Sequence, residues 1–148
     1  MKRVGLLDVN VLVALFDPDH VHHDLAHDWL ADHKRAGWAT CPITENGLVR
    51  VLSNPAYPAG SYPAADLAVR LRAFAESGHH VFWPDDVSLR DRTLFQHPLA
   101  SGHRHLTDVY LLALAKRHDG ALVTFDRSIP LAAVAGATRQ HLHVVSPA

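Results

Sequence analysis

The chain has 148 residues, of which 48% are hydrophobic and 20% charged, and its formal net charge is −1. This is ordinary globular usage, which excludes a disordered tail protein, and the length fits one domain spanning 1–148. The longest apolar runs are only a handful of residues, too short for a membrane span, and the near-neutral charge excludes a generic polycation for nucleic acid.

Cys41 is the single cysteine, so neither an intramolecular disulfide nor a cysteine-based zinc site is expected. Asp8, Asp17 and Asp19 argue against a secretory leader, and a cytoplasmic location is expected. Eleven arginines against three lysines suit phosphate binding, because the guanidinium fork matches phosphate oxygens. Thirteen histidines add positive charge below about pH 6.5.

VGLLDVNVLVAL (4–15) opens as an apolar run of strand type and then passes Asp8 and Asn10. Residues 19–35 read as a helix, because Val21, Leu25, Ala26, Trp29 and Leu30 share one side at helical spacing, and Gly37 ends it. Trp38–Cys41 is a short strand candidate, followed by Pro42 and a helix from about Ile43 to Ser53. Residues 53–64 form a proline-rich loop with two tyrosines. Leu67, Leu71 and Phe74 mark the next helix, ended by Gly78, and Val81–Trp83 is a third strand. A short helix is expected at 87–95, then a polar loop with Gly102, then a strong helix at 107–118 closed by Gly120. Ala121–Phe125 and His143–Val145 are the last strands. Strands alternating with helices imply a three-layer α/β/α fold, with a mostly parallel twisted sheet of four to five strands. Such sheets bind ligands beyond the carboxyl ends of their strands.

Four acids stand where stability does not ask for them. Asp8 ends the run Val4–Leu7, and Asp126 ends the run Ala121–Phe125. Asn10 lies two residues after Asp8 and Thr124 two before Asp126; in an extended stretch each polar residue shares a face with its acid. Glu45 is followed by Leu48, Val49 and Leu52, and Asp108 by Leu111, Leu112 and Ala115, in both cases at i+3, i+4 and i+7. Each of these acids therefore heads the apolar stripe of its helix, in the first turn, with Thr44 and Thr107 as candidate N-caps. Any one acid could be a plain capping or turn residue. Four on one sheet edge would repel one another unless a cation is present, and oxygen-only ligands select Mg2+ or Mn2+. Such an ion polarises phosphate and supplies a hydroxide nucleophile, so phosphodiester hydrolysis is the natural reaction.

LLDVNVLVAL, PITENGLVRVL, LTDVYLLALA and VTFDRSI resemble, in order and spacing, the four acidic motifs of PIN-domain ribonucleases, above all the VapC-type toxins of bacterial type II toxin–antitoxin pairs. The resemblance spans nearly the whole chain. It implies a metal-dependent endoribonuclease in which Asp8, Glu45, Asp108 and Asp126 bind Mg2+ or Mn2+ and carry catalysis, with Asn10 and Thr124 in support. It also implies a homodimer and a cognate antitoxin that blocks the site.

Arg50, Arg92, Arg104 and Arg127 could meet RNA phosphates; Arg127, directly after Asp126, is the foremost candidate. Tyr57, Tyr62 and Trp83 could stack bases, or pack in a core or interface. His20, His23 and His27 fall in one sector of roughly 60° on their helix, which reads as a solvated face, while His22 and His33 fall on the apolar side. Leu12, Val13 and the Leu67–Phe74 helix fit an interface as well as a core. The alternative reading is a non-catalytic PIN-like module that docks RNA or an antitoxin through its acidic site. An α/β phosphatase fits less well, because the position two after Asp8 holds Asn10 rather than a second acid.

Overall fold

A computed structural model describes residues 2–96 and 103–147; the loop expected around Gly102 lies outside them. Strand β1 (Gly5–Leu7) leads into helix α1 (Val9–Phe16) and helix α2 (His23–His33), then strand β2 (Trp38–Thr40). Helices α3 (Pro42–Leu52) and α4 (Ala64–Ala75) precede strand β3 (His80–Phe82), and helix α5 (Leu106–Arg117) precedes strands β4 (Ala121–Thr124) and β5 (Leu142–Val144). All strands pair in parallel, in the order β3-β2-β1-β4-β5.

The sheet divides two apolar layers, as the period-2 geometry of strands requires. Leu7, Trp38 and Val123 pack with α1, α2 and α3, while Leu6, Ala39 and Leu122 pack with α5. The expected three-layer α/β/α arrangement is therefore present. Chain progression from β1 runs one way to β2 and β3, then restarts on the other side at β4. The switch point lies between β1 and β4, where parallel sheets place their ligand crevice.

Several local expectations change. The strand-type run at 4–15 is a strand of three residues and then a helix. Every residue of α1 from Val11 to Phe16 is buried, so the helix carries no polar face and no amphipathic period to read. Residues 87–95 form turns rather than a helix, with an isolated bridge from Phe95 to Val134. Cys41 is buried as the N-cap of α3 rather than a strand residue, and His105 rather than Thr107 precedes α5. Thr44 sits at the third helical position, where its hydroxyl accepts the Cys41 N–H at 3.0 Å. Leu12, Val13 and Leu67 are core residues.

The carboxyl end of α1 has a donor for each of its last four carbonyls, the groups that a helix leaves unpaired. The Asp17 amide donates to Val13, His23 Nδ1 to Ala14 at 2.7 Å, His27 Nε2 to Leu15 at 2.9 Å, and Arg70 to Phe16 at 2.7 Å. His23 and His27 are thus fastened to α1 instead of facing water freely. The 53–64 loop completes the clamp. Tyr57 donates its hydroxyl to the buried Asp17 carboxylate, and Arg70 lies over the Phe16 ring and near that of Tyr62. Between α1 and α3 the approach is close: a Cβ on Gly47 would come within 2.6 Å of the Val9 side chain. A mid-helix glycine costs about 1 kcal/mol against alanine, and here it admits the first turn of α1 against α3.

Tyr57→Phe removes the hydroxyl that satisfies buried Asp17. We expect a loss of about 1–3 kcal/mol of stability in urea unfolding; unchanged stability would show that water replaces the phenol.

Candidate active site

The switch point places Asp8 and Asp126 just past the carboxyl ends of β1 and β4. Asp8 is 5% exposed and caps α1: its Oδ1 accepts the Val9 amide at 2.7 Å. Its Oδ2 accepts the Thr124 hydroxyl at 2.8 Å. Thr124 is fully buried, and its oxygen in turn accepts from Asn10 Nδ2 at 3.3 Å and from the Asp126 amide at 3.1 Å. One hydroxyl, with one donor and two acceptor sites, therefore joins Asp8, Asn10 and the backbone of Asp126. Asn10 reaches this hub from a helix, not from the extended stretch expected for it.

Asp108 enters from the first turn of α5. Ligand atoms of Asp108, Asp126 and His105 lie within 4.8 Å of one another. Asp8 is outside this mutual group, but close enough for its charge to be felt: burial foremost, then Asp108 and Asp126, push its carboxyl up to about 6 against the two hydrogen bonds. Burial and the Asp126 charge also raise Asp108. Asp126 shifts the other way, because the Ser128 hydroxyl and amide both donate to its Oδ1. Glu45 stands apart from this group. Its Oε2 accepts the Thr40 hydroxyl at 2.6 Å at the end of β2, and the same hydroxyl, its proton spent, accepts from His80 Nε2 at 2.8 Å.

Among the described residues, two buried polar atoms here lack a hydrogen-bond partner: Asn10 Oδ1 and His105 Nδ1, the latter 3.7 Å from Asp108. The orphaned Asn10 oxygen beside clustered carboxylates fits a hard divalent cation. Three helix N-termini, those of α1, α3 and α5, direct their positive ends at Asp8, Glu45 and Asp108 and offset part of the repulsion.

Sequence reasoning missed His105 and Thr40. His105 lies three residues before Asp108, a spacing that places both on one helical side. Thr40 ends β2 as Thr124 ends β4, each a hydroxyl donor to a site acid. Arg127 is exposed and borders a groove with Arg139 along β5. Tyr57 and Tyr62 serve the α1 clamp, and buried Trp83 stacks on His118.

Asp8 dictates a pH-dependent stability. Its carboxyl ionises near pH 4 when unfolded and near 6 when folded, so the native state favours the protonated form. The stabilisation is complete below about pH 4 and lost as pH rises through 6, a span worth about 3 kcal/mol. Asn at this position keeps an acceptor for Val9 and carries no charge. In EDTA, the stability of wild type relative to Asp8→Asn should fall by about 3 kcal/mol between pH 4 and pH 7.5 in urea unfolding, because the Thr124 bond lost in the variant costs the same at both. A difference that does not change with pH would contradict a buried carboxylate held above its usual range.

Residues 5–136 match the family model of the PIN domain. The chain is 48% identical over 138 residues to Ribonuclease VapC44 of Mycobacterium tuberculosis (strain H37Rv), covering 93% of this chain and 96% of that one. It is 46% identical over 132 residues to Ribonuclease VapC39 of that strain (89% and 95% covered), and 44% identical over 126 residues to Ribonuclease VapC38 (85% and 87%). The fold, the acids at its switch point and these likenesses agree: the chain belongs to the PIN-domain family, as a ribonuclease of the VapC type.

Proposed function

We propose that this protein is an endoribonuclease dependent on Mg2+ or Mn2+ and the toxin of a toxin–antitoxin pair. Asp8, Glu45, Asp108 and Asp126 are the residues that would hold the ion, supported by Asn10 and Thr124. The observation that carries the reading is the convergence of Asp8, Asp108 and Asp126 at the switch point, with the Asn10 oxygen orphaned beside them. When bound, a divalent ion polarises the phosphodiester and acidifies the attacking water.

The chain's own groups divide the remaining work. Thr124 fixes the Asp8 carboxylate and leaves lone pairs on both oxygens for a ligand. Ser128 ties down one Asp126 oxygen, which keeps that acid ionised, and leaves the other open to the site. Thr40 holds Glu45 in the same manner one strand away. Arg104, whose charge favours ionised Asp126, and Arg127 supply guanidinium groups for the RNA backbone at this edge. No helix of the described residues is long and apolar enough to cross a membrane. The reading places the protein in the cytoplasm as a homodimer, restrained by a small cognate antitoxin that covers the acids.

Incubation with total cellular RNA in Mg2+, Mn2+ or EDTA, beside Asp8→Asn, tests the reading. We expect discrete cuts that end in 3′-hydroxyl and 5′-phosphate, lost in EDTA and at least 100-fold slower in the variant, on the order of one lost transition-state contact. Cyclic phosphate ends would rule out water as the nucleophile. Toxicity to a host cell that survives Asp8→Asn would favour a binding role over catalysis.

A further inference from the structure

A double cleft opens beside the acids, between α1, α3 and the start of α5. Its first lobe, about 390 Å3, is lined by Val9, Asn46, Arg50, Asp85 and Thr107 among others. Val9, Asn46 and Thr107 are the chain neighbours of Asp8, Glu45 and Asp108, so the lobe lies along the backbone that carries three of the four acids. A second lobe, about 480 Å3, adjoins it at Ile43 and Thr107, and has walls of Val87, Leu89 and Tyr110. One lobe is charged and the other mostly apolar, the two-part character of a nucleotide.

Arg50 lies in the last turn of α3 and is exposed. Among the described residues no carboxylate lies within 4 Å of its guanidinium, although Asp85 shares the lobe. It therefore offers all its donors to an incoming anion, on a face where ionised acids would otherwise repel RNA. Asp85 lines the first lobe and stands two residues before Val87 of the second, which places it near the junction of the two. A carboxylate only accepts hydrogen bonds, so it favours bases with an exocyclic amino group (adenine, cytosine, guanine) over uracil, whose N3–H lies between two carbonyls.

We propose that this double cleft seats the nucleotide flanking the scissile bond, with Arg50 gripping its phosphate and Asp85 selecting an amino-bearing base against the Tyr110 wall. The proposal rests on the ribonuclease reading above, yet it is testable without turnover. Fluorescence anisotropy in EDTA would measure binding of short single-stranded oligoribonucleotides, either of mixed sequence or all A, all C or all U. Both tested side chains are exposed, and circular dichroism would check that the variants fold. Arg50→Ala should weaken binding about tenfold, the loss of one charge-assisted contact, and make the salt dependence shallower by about 0.7 in slope. Asp85→Asn should erase a preference for A and C over U. Wild-type affinity and salt slope in Arg50→Ala would overturn the phosphate contact. Base preference absent from wild type, or unchanged in Asp85→Asn, would overturn the base contact. RNA cut by wild type but bound equally by Arg50→Ala would leave the ribonuclease reading and remove the cleft. Binding lost in Arg50→Ala, without cutting by wild type in Mg2+ or Mn2+, would do the reverse.

Discussion

The Thr124 hydroxyl is the constraint on which the site depends. It is fully buried at the end of β4, donates to Asp8, and accepts from Asn10 and from the Asp126 amide. Those bonds join β1, α1 and the segment after β4 at the point where the chain reverses its progress across the sheet. Valine would match the shape but leave Asp8 Oδ2, Asn10 Nδ2 and the Asp126 amide each without a partner, and a buried unpaired polar group costs about 1–3 kcal/mol. The α1 helix that carries Asp8 at one end is held at the other by His23, His27 and Arg70, with Tyr57 fixing the Asp17 cap. A residue as far away as the 53–64 loop thus helps to place a carboxylate at the sheet edge.

The acids there are not equivalent, and their differences have plain causes. Asp8 is buried and held high, whereas Asp126 is bonded to Ser128 and held low. Environment, not residue type, separates them. Together they leave a negative cluster whose repulsion the helix N-termini offset only in part. A divalent cation would complete the balance, and the orphaned Asn10 oxygen gives a separate reason to expect one.

Much of this was legible in the sequence, where local pattern and tertiary role coincide. Glu45 and Asp108 stood out because each heads an apolar stripe, and both do lie in the first turns of their helices. The parallel sheet followed from the alternation of short apolar runs with amphipathic stretches. Helix α1 was hidden because burial on all sides erases its period. The turns at 87–95 carry spaced apolar residues, Val87, Leu94 and Phe95, that pack against the α5 layer without helical backbone. His105 and Thr40 were hidden for another reason: neither forms part of a stripe, and each gains meaning only once a distant strand end is adjacent. His23 and His27 looked like solvent-facing residues because the helix end they cap lies elsewhere in the chain.

Crystals grown with Mn2+ would provide the most direct test, through the metal's anomalous scattering. The arrangement of Asp8, Asp108 and Asp126 calls for a peak at the switch point, about 2.1 Å from carboxylate oxygens of at least two of them. It should be absent from isomorphous crystals of Asp8→Asn. A peak only at surface histidines, or none while the protein is folded, would contradict a metal centre built on these acids.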